Sequence, residues 1–330
     1  MKKSDIRERN KFVIPGVCYL FSAVIMIILA ACNSTETQTE PPPYDGPVGR
    51  VTHCQTAPHF VSEMGVSPAA LLGTTIPDVM GIAIWDPNMP DGGVIQHESW
   101  DDAGFLGPYE YDTAGNIYTA AVPYVSLDNN PPADQNKVYK IDTDTAEMDL
   151  LIDVLAVSLP TATNPFGVLG LAYDCDTNSL YSSSVAGSTP DKENGRISRI
   201  NLATGDIESQ LKDIDAIGIG VFNSSTGKRL YYGRARAGVV YSILLDSVGN
   251  FVGDPRREFS LVDLGLNTTD KIRRITFPSD SEMQMKGVDF NYNPVVSGDA
   301  EQTIYNLRYI PDEDKWELVD VVLPEEEEEG

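Results

Sequence analysis

Two kinds of β-hairpin recur in a fixed order along most of this 330-residue chain. In the first kind, an apolar strand is followed by a polar turn and a strand that contains Tyr or Phe. In the second kind, an apolar strand turns into a more polar outer strand. Short apolar runs separated by Asp, Asn, Gly and Pro turns predict an all-β domain. Copies of the first kind span residues 109–118, 169–181, 217–232 and 272–290, and copies of the second begin at residues 137, 196, 239, 303 and 81.

Paired in this order, the hairpins form repeated units of about 40–60 residues, which are typical of the four-stranded blades of a β-propeller. The repeats therefore predict one propeller domain over residues 50–323, with four complete blades and one half blade. We expect five blades, with six as the alternative count and a β-sandwich as the alternative fold. The missing half of the first blade could come from residues 50–64 or from the far end of the chain.

The N-terminus has the three parts of an export signal: basic residues, an apolar run over residues 17–31, and small residues before Cys32. The sequence Leu29-Ala30-Ala31-Cys32 resembles the lipobox of bacterial lipoproteins. That resemblance implies removal of residues 1–31, acylation of Cys32, and outer-membrane delivery because Asn33 follows the cysteine. Several acyl chains would give stable anchoring facing the periplasm or the cell exterior. The alternative is an uncleaved membrane helix over residues 12–31, which Pro15-Gly16 would interrupt.

Polar segments flank the predicted propeller. Residues 32–49 contain almost no apolar side chains and include three consecutive prolines, so they predict a lipidated N-terminus and flexible tether. Residues 324–330 form an acidic tail. The chain carries a net charge of −25, and loss of residues 1–31 would leave about −28. Such a charge argues against nucleic acid as a partner, because phosphates would be repelled.

Two cysteines remain in the predicted mature domain, Cys54 and Cys175. An exported protein occupies an oxidising compartment, where paired cysteines form disulfides. Pairing would pin the N-terminal segment to the second complete blade, but sequence leaves the geometry open.

Asp174, Asp176 and Asn178 have the alternating oxygen spacing that Ca²⁺ prefers. The glycine and the downstream bidentate Glu of a calcium loop are missing. Asp and Asn are also favoured in tight turns for backbone reasons, so an ordinary hairpin turn is the alternative. The sequence does not identify the cofactor; Ca²⁺ or another divalent cation is the candidate.

Arg234 and Arg236 follow Tyr232 in one hairpin of this acidic chain. Guanidinium groups beside a Tyr ring suit a carboxylate, a sulfate or an acidic glycan. A ligand site here requires the arginines to be partly exposed, convergent and not fully paired. The alternative is that they pair with nearby Asp and Glu.

Residues 218–232 followed by 238–243 resemble blades of NHL-type and SMP-30/gluconolactonase-like propellers. As architecture, the likeness extends over residues 80–322. The SMP-30 resemblance implies a divalent metal in the central channel, held by a Glu, two Asn and an Asp. Glu110, Asn164 and Asp289 have matching chemistry, outside recognisable copies of that group's motifs.

Three long crossovers, over residues 123–136, 186–195 and 291–302, are expected on one face of the propeller. Long polar insertions gathered on one face are a common way to build a binding site. The first hypothesis is therefore a lipid-anchored, non-catalytic propeller that binds a protein, or a small anionic or glycan ligand, through this face. The second is a metal-dependent hydrolase or lactonase with its site in the channel. No catalytic residue is assigned.

Overall fold

A computed structural model describes residues 46–77, 79–90, 93–124, 127–293 and 301–324. These residues form five antiparallel sheets in a ring, which confirms the five-bladed β-propeller. The predicted signal peptide, Cys32, all but the last four residues of the tether (32–49), and the acidic tail from residue 325 lie outside the described residues.

Blades 2 to 5 each contain four consecutive strands, and blade 1 contains three in the described residues. A two-residue strand, β1 (Gly49–Arg50), is added to the inner strand of blade 4. Helix is confined to α1 (His59–Glu63) and to the 3₁₀ turns Pro132–Asp134 and Pro311–Glu313, within the described ranges. The strands of blades 1 to 5 are, in order, β2 Leu71–Gly73, β3 Ala83–Trp85, β4 Val94–Ile95; β5 Leu106–Tyr111, β6 Ile117–Ala121, β7 Lys137–Ile141, β8 Met148–Asp153; β9 Val168–Asp174, β10 Ser179–Ser184, β11 Arg196–Asn201, β12 Asp206–Lys212; β13 Ala216–Ser224, β14 Gly227–Arg234, β15 Val239–Leu245, β16 Phe251–Ser260; β17 Lys271–Ser279, β18 Glu282–Val288, β19 Thr303–Ile310, β20 Lys315–Val322.

In each of the four complete blades, the outermost strand is the least buried. Every residue of β13 is buried, because both faces of that strand pack on neighbouring blades. The outermost strand β20 buries only Trp316 and exposes most of its length. This difference in burial explains why the inner strands β9 and β13 are mostly apolar and contain glycine, and why the outermost strands carry charges.

Apolar clusters fill the seams between successive blades. Between blades 4 and 5, Phe222 stacks on Phe277 with ring centroids 5.0 Å apart, and Trp316 packs edge-on at 4.9 Å. Three further clusters join blades 1 and 2, blades 2 and 3, and blades 3 and 4. Side chains of blades 3 to 5, including Phe166 and Phe290, pack together at one end of the inner strands.

The two faces of the ring differ in what they carry. The turns within each hairpin lie on one face, which we call the hairpin face. The second-to-third-strand crossovers and the links between blades lie on the other, the long-loop face. Backbone hydrogen bonds join crossovers to links there, such as Val154 N to Asn136 O at 2.8 Å and Leu261 N to Gly238 O at 2.7 Å.

The expected source of the missing strands of blade 1 is wrong. Residues 50–64 do not complete that blade, and neither does the far end of the chain, which forms blade 5. Instead, residues 46–58 form a strap that runs across the hairpin face. Pro47 and Pro58 lack the amide donor that a strand needs, and within this strap only Gly49 and Arg50 pair as a strand.

The strap contacts the inner hairpins of four blades in turn. The Arg50 guanidinium donates to Pro278 O of blade 5 at 3.0 Å, and Gly49 pairs with Asn223 of blade 4. Cys54 is bonded to blade 3, and the Thr56 hydroxyl donates to Thr113 O of blade 2 at 3.0 Å. The chain therefore enters the propeller on the hairpin face.

Candidate functional site

A lysine lies between the two acidic side chains of the predicted calcium loop. Lys228 Nζ donates to both carboxylate oxygens of Asp174 and to one of Asp176, each at 2.8 Å. Asp174 is fully buried, and its oxygens also accept from the Asp176 amide and the Thr177 hydroxyl. Burial alone would raise the pKa of Asp176, but the hydrogen bond and charge of Lys228 outweigh it and lower that pKa.

The third residue of that loop has a different role. Asn178 adopts a left-handed backbone (φ 48°) in the turn, and its side-chain oxygen accepts from the Tyr173 hydroxyl at 3.0 Å. The geometry therefore favours the hairpin-turn alternative, with an ammonium group in the place a cation would take. Within the described residues, no group of three His, Cys, Asp or Glu side chains is arranged to hold a metal ion.

The two predicted ligand-binding arginines contact the protein's own acceptors. Arg234 donates to both oxygens of Glu193. Arg236 donates to Asp215 at 2.9 Å and to three carbonyls of the 186–195 crossover, and lies 5.3 Å over the Tyr292 ring. Binding of an external anion would have to displace these partners. The structure thus favours the pairing alternative, and a ligand site at these arginines stays a prediction.

The buried side chain of Asp215 accepts hydrogen bonds from the same 186–195 crossover. One of its oxygens accepts from the Gly195 amide at 2.9 Å and from the Ser188 hydroxyl, and the other accepts from the Tyr292 hydroxyl at 2.6 Å. Tyr232 is buried beside this network and stacks on Tyr241 at 5.9 Å. Hydrogen bonds to one buried carboxylate thus hold this long-loop segment in place.

A disulfide joins Cys54 of the strap to Cys175 in the inner hairpin of blade 3, with Cα atoms 5.9 Å apart. The next strap residue extends the attachment to blade 2, because Gln55 Nε2 donates to Glu110 and to Tyr111 O, each at 2.9 Å. The strap is therefore fixed covalently to one blade and by hydrogen bonds to the next.

The three candidate channel ligands occupy different settings. The Asn164 amide donates to Val185 O at 2.8 Å and Ser188 O at 3.1 Å, so it serves the long-loop face. Asp289 lies half-buried at the start of the last long crossover. Glu110 lies on the inner strand β5, where its carboxyl group accepts from Gln55 of the strap.

Glu110 is a carboxyl group whose surroundings raise its pKa. Burial raises its pKa to about 7, against the opposing effects of the Gln55 hydrogen bond and the Arg274 charge. The folded protein therefore favours the neutral carboxyl group. A carboxyl group with a raised pKa stabilises the fold fully below its unfolded pKa, and that contribution is lost as the pH rises through the folded value.

We expect Glu110→Gln to remove this dependence. The wild-type free energy of unfolding should fall relative to the variant between about pH 4.5 and pH 7, by roughly 2 kcal/mol after allowance for partial exposure. Urea denaturation of both proteins at a series of pH values measures the difference. Glu98→Gln, at an exposed position, is the control, and its free energy of unfolding should differ from that of the wild type by the same amount at every pH. If the difference between wild type and Glu110→Gln does not change with pH, the raised pKa of Glu110 is contradicted.

Exposed aliphatic side chains form two ridges on the long-loop face. Leu155, Val157 and Leu159 lie in the link between blades 2 and 3, and Val262, Leu264 and Leu266 in the link between blades 4 and 5. All six side chains are 41–63% exposed. Sequence reasoning missed them, although apolar alternation that continues beyond the end of a strand, where no sheet can cover it, is the signal.

No helix within the described ranges has the length and apolar character needed to cross a bilayer. No family model matches the chain, and no curated protein matches it. Similar solved structures include a protein from Lactobacillus plantarum, with TM-score 0.44 and 12% identity over 79% of this chain and 68% of that chain. Saccharomyces cerevisiae Sqt1 has a TM-score of 0.42 and 12% identity, over 74% of this chain and 58% of that chain. A glucose dehydrogenase has a TM-score of 0.39 and 11% identity, over 63% of this chain and 68% of that chain.

Proposed function

We propose that this chain is a lipid-anchored, extracytoplasmic β-propeller that binds a partner protein through its long-loop face, without catalysing a reaction. The observation that carries the proposal is the pair of aliphatic ridges. Six solvent-exposed aliphatic side chains on one face of an otherwise strongly acidic protein favour a contact surface, because burying them against a partner is favourable.

The position of the strap supports this orientation. The chain enters the propeller at residues 46–50, on the hairpin face. If Cys32 carries the lipid, the tether joins the membrane to that face, and the long-loop face is the one opposite. The crossover 186–195, held by Asp215 and the two arginines, would then present a pre-formed surface beside the ridge at 155–159. Gly187 lies close against Ser158 of that ridge segment.

The anchor is tested by Cys32→Ser. We expect the variant to be released from the membrane fraction, or to accumulate as unprocessed precursor, because the acceptor sulfur is absent. Fractionation and mass determination of the N-terminus measure both outcomes. An unchanged membrane fraction with a cleaved N-terminus would refute lipid anchoring at this residue.

The contact surface is tested by a photo-crosslinking residue placed at Val157 in cells. We expect a discrete adduct with one protein, lost when Leu155 and Leu159 are replaced by Glu. A crosslinker at Asp312 on the hairpin face should give no such adduct, and Val248→Glu, which charges an exposed aliphatic residue in a hairpin turn, should leave the Val157 adduct unchanged.

Lipid is the competing occupant of the ridges. The Cys32→Ser protein should not float with vesicles of phosphatidylethanolamine and phosphatidylglycerol. Flotation that depends on Leu155 and Leu159, together with no adduct from Val157, would show that the ridges contact the membrane and would refute the partner-binding proposal.

A further inference from the structure

The seam between blades 5 and 1 differs from the four other seams. Within the described residues, each of the other seams contains an apolar cluster, and none joins blade 5 to blade 1. Leu72, Ile84 and Ile95 of blade 1 pack toward blade 2. Strand alternation then directs the row Leu71, Trp85 and Val94 to the opposite face, toward blade 5. These three side chains are 62%, 38% and 44% exposed.

Blade 1 also lacks a strand at its inner position. In the repeat, β3 and β4 correspond to the third and fourth strands of the complete blades, and β2 precedes them as the second. Each complete blade begins with an inner strand of 6 to 9 residues. Among the described residues, β2 pairs only with β3, so its inner edge carries no strand. The Tyr109 hydroxyl donates to the Leu72 carbonyl there, at 3.2 Å.

A cavity of about 350 Å³ lies beside β2, under the strap. Its walls are mostly apolar and include Leu72 and Ile84 of blade 1 and Tyr111 of blade 2, with Gln55 of the strap at the edge. This volume is within the range of ligand pockets. The cavity can receive apolar side chains from whatever occupies the inner edge of β2.

Two cations stand on the inner strand that faces this gap from blade 5. The Arg274 guanidinium is exposed and lies 5.5 Å over the Tyr109 ring of blade 2. Arg273 is half-buried, and burial together with the Arg274 charge lowers its pKa. In the described part of the chain, neither guanidinium donates a hydrogen bond or forms an ion pair. A ligand with a carboxylate would complement this charge.

We propose that an extended peptide segment of a partner protein binds in this gap as the missing inner strand of blade 1, with a carboxylate placed against Arg274. The Leu72 carbonyl on the inner edge of β2 already accepts from Tyr109, so strand addition would exchange that bond for bonds to the peptide backbone, and the cavity offers room for the peptide's alternate side chains. Three of the four inner strands, β5, β9 and β13, combine apolar residues with glycine, which indicates what this position accepts. This site is separate from the long-loop face, so the inference does not depend on the proposed function.

The probe is a fluorescein-labelled peptide with the sequence of β9, Val168–Asp174, which is apolar, contains Gly170 and ends in a carboxylate. Fluorescence polarisation with the full mature chain in detergent should show saturable binding. A peptide with Pro in place of Leu171 should bind about tenfold more weakly, because Pro removes a ladder donor. Equal binding of the two peptides, or no saturable binding, would overturn the proposal.

Variants of the protein locate the site. Arg274→Gln should weaken binding of the β9 peptide about tenfold at low salt, because a charge-assisted hydrogen bond is lost. Arg257→Gln makes the same charge change at an exposed position on the outer strand β16 and should leave binding unchanged. Equal affinity of wild type and Arg274→Gln would overturn the role of that arginine and with it the proposed placement.

Hydrogen exchange separates this site from the ridges. Peptide binding should slow exchange of the backbone amides of residues 71–73. Slowing confined to residues 155–159 would show recognition by the long-loop face and would overturn strand addition. A dimer in which amides 71–73 are protected before peptide is added would also overturn it, because a second copy would then fill the gap.

Discussion

Replacement of Lys228 by Met is expected to lower the free energy of unfolding by about 3–5 kcal/mol, because it leaves buried carboxylate charge without a partner. Lys228 Nζ is the only ammonium group in the described residues that contacts Asp174, which is fully buried. It also forms an ion pair with Asp176, so one ammonium group contacts two carboxylates that lie two positions apart in the turn.

A double variant makes this experiment specific. Asp174→Asn together with Lys228→Met removes both buried charges, and we expect it to be clearly more stable than Lys228→Met alone. Chemical denaturation measures all three proteins. Because Lys228 occupies the cation position, added Ca²⁺ should leave the wild-type midpoint unchanged. A Ca²⁺-dependent rise in the wild-type midpoint would restore the metal interpretation of Asp174, Asp176 and Asn178.

Removal of the disulfide is expected to have the second largest effect. The bond closes a loop across a sequence separation of 121 residues, and loops of this size give about 2–4 kcal/mol of stabilisation. We expect the double variant Cys54→Ser/Cys175→Ser to lose about that much in guanidinium denaturation. Dithiothreitol should shift the wild-type midpoint by a similar amount.

The same variant tests whether the bond holds the strap in place. Limited proteolysis should cut the double variant near residues 46–58 well before it cuts the blades, since a few hydrogen bonds would then be all that holds the strap. If the strap of the double variant resists protease as well as the strap of the wild type does, the hydrogen bonds are sufficient to hold it. The disulfide would then stabilise the protein only through its effect on the unfolded chain.

Sequence predicted the blades well because each strand carries its own signal. The copies of the second hairpin that were expected to begin at residues 137, 196, 239 and 303 do begin there, as β7, β11, β15 and β19. The copy of the first hairpin expected over residues 272–290 ends two residues earlier, because its second strand, β18, ends at Val288. Phe290 is apolar for another reason: it packs with Phe166 at the end of the inner strands rather than in a sheet.

Contacts between distant parts of the chain were harder to predict. Lys228 lies 54 residues from Asp174, and the strap contacts blade 5 across a separation of 228 residues between Arg50 and Pro278. Local patterns do not report such pairings. The Asp-rich turn therefore resembled a metal loop, and Arg234 and Arg236 resembled a ligand site, until their partners were located. The gap in blade 1 was visible in the sequence as a missing hairpin, but the sequence could not show that it remains without a strand.

The strap also determines how the propeller would respond to a mechanical load. A pull on the chain before residue 46 acts first on Gly49 and Arg50, whose contacts with blades 4 and 5 can peel one hydrogen bond at a time. Peeling stops at Cys54, where the covalent bond transfers the force to the inner hairpin of blade 3. At most residues 46–53 can be drawn out, roughly 27 Å of extended chain. Beyond that length, tension loads the middle of the ring rather than its free ends, so the open seam beside blade 1 is spared.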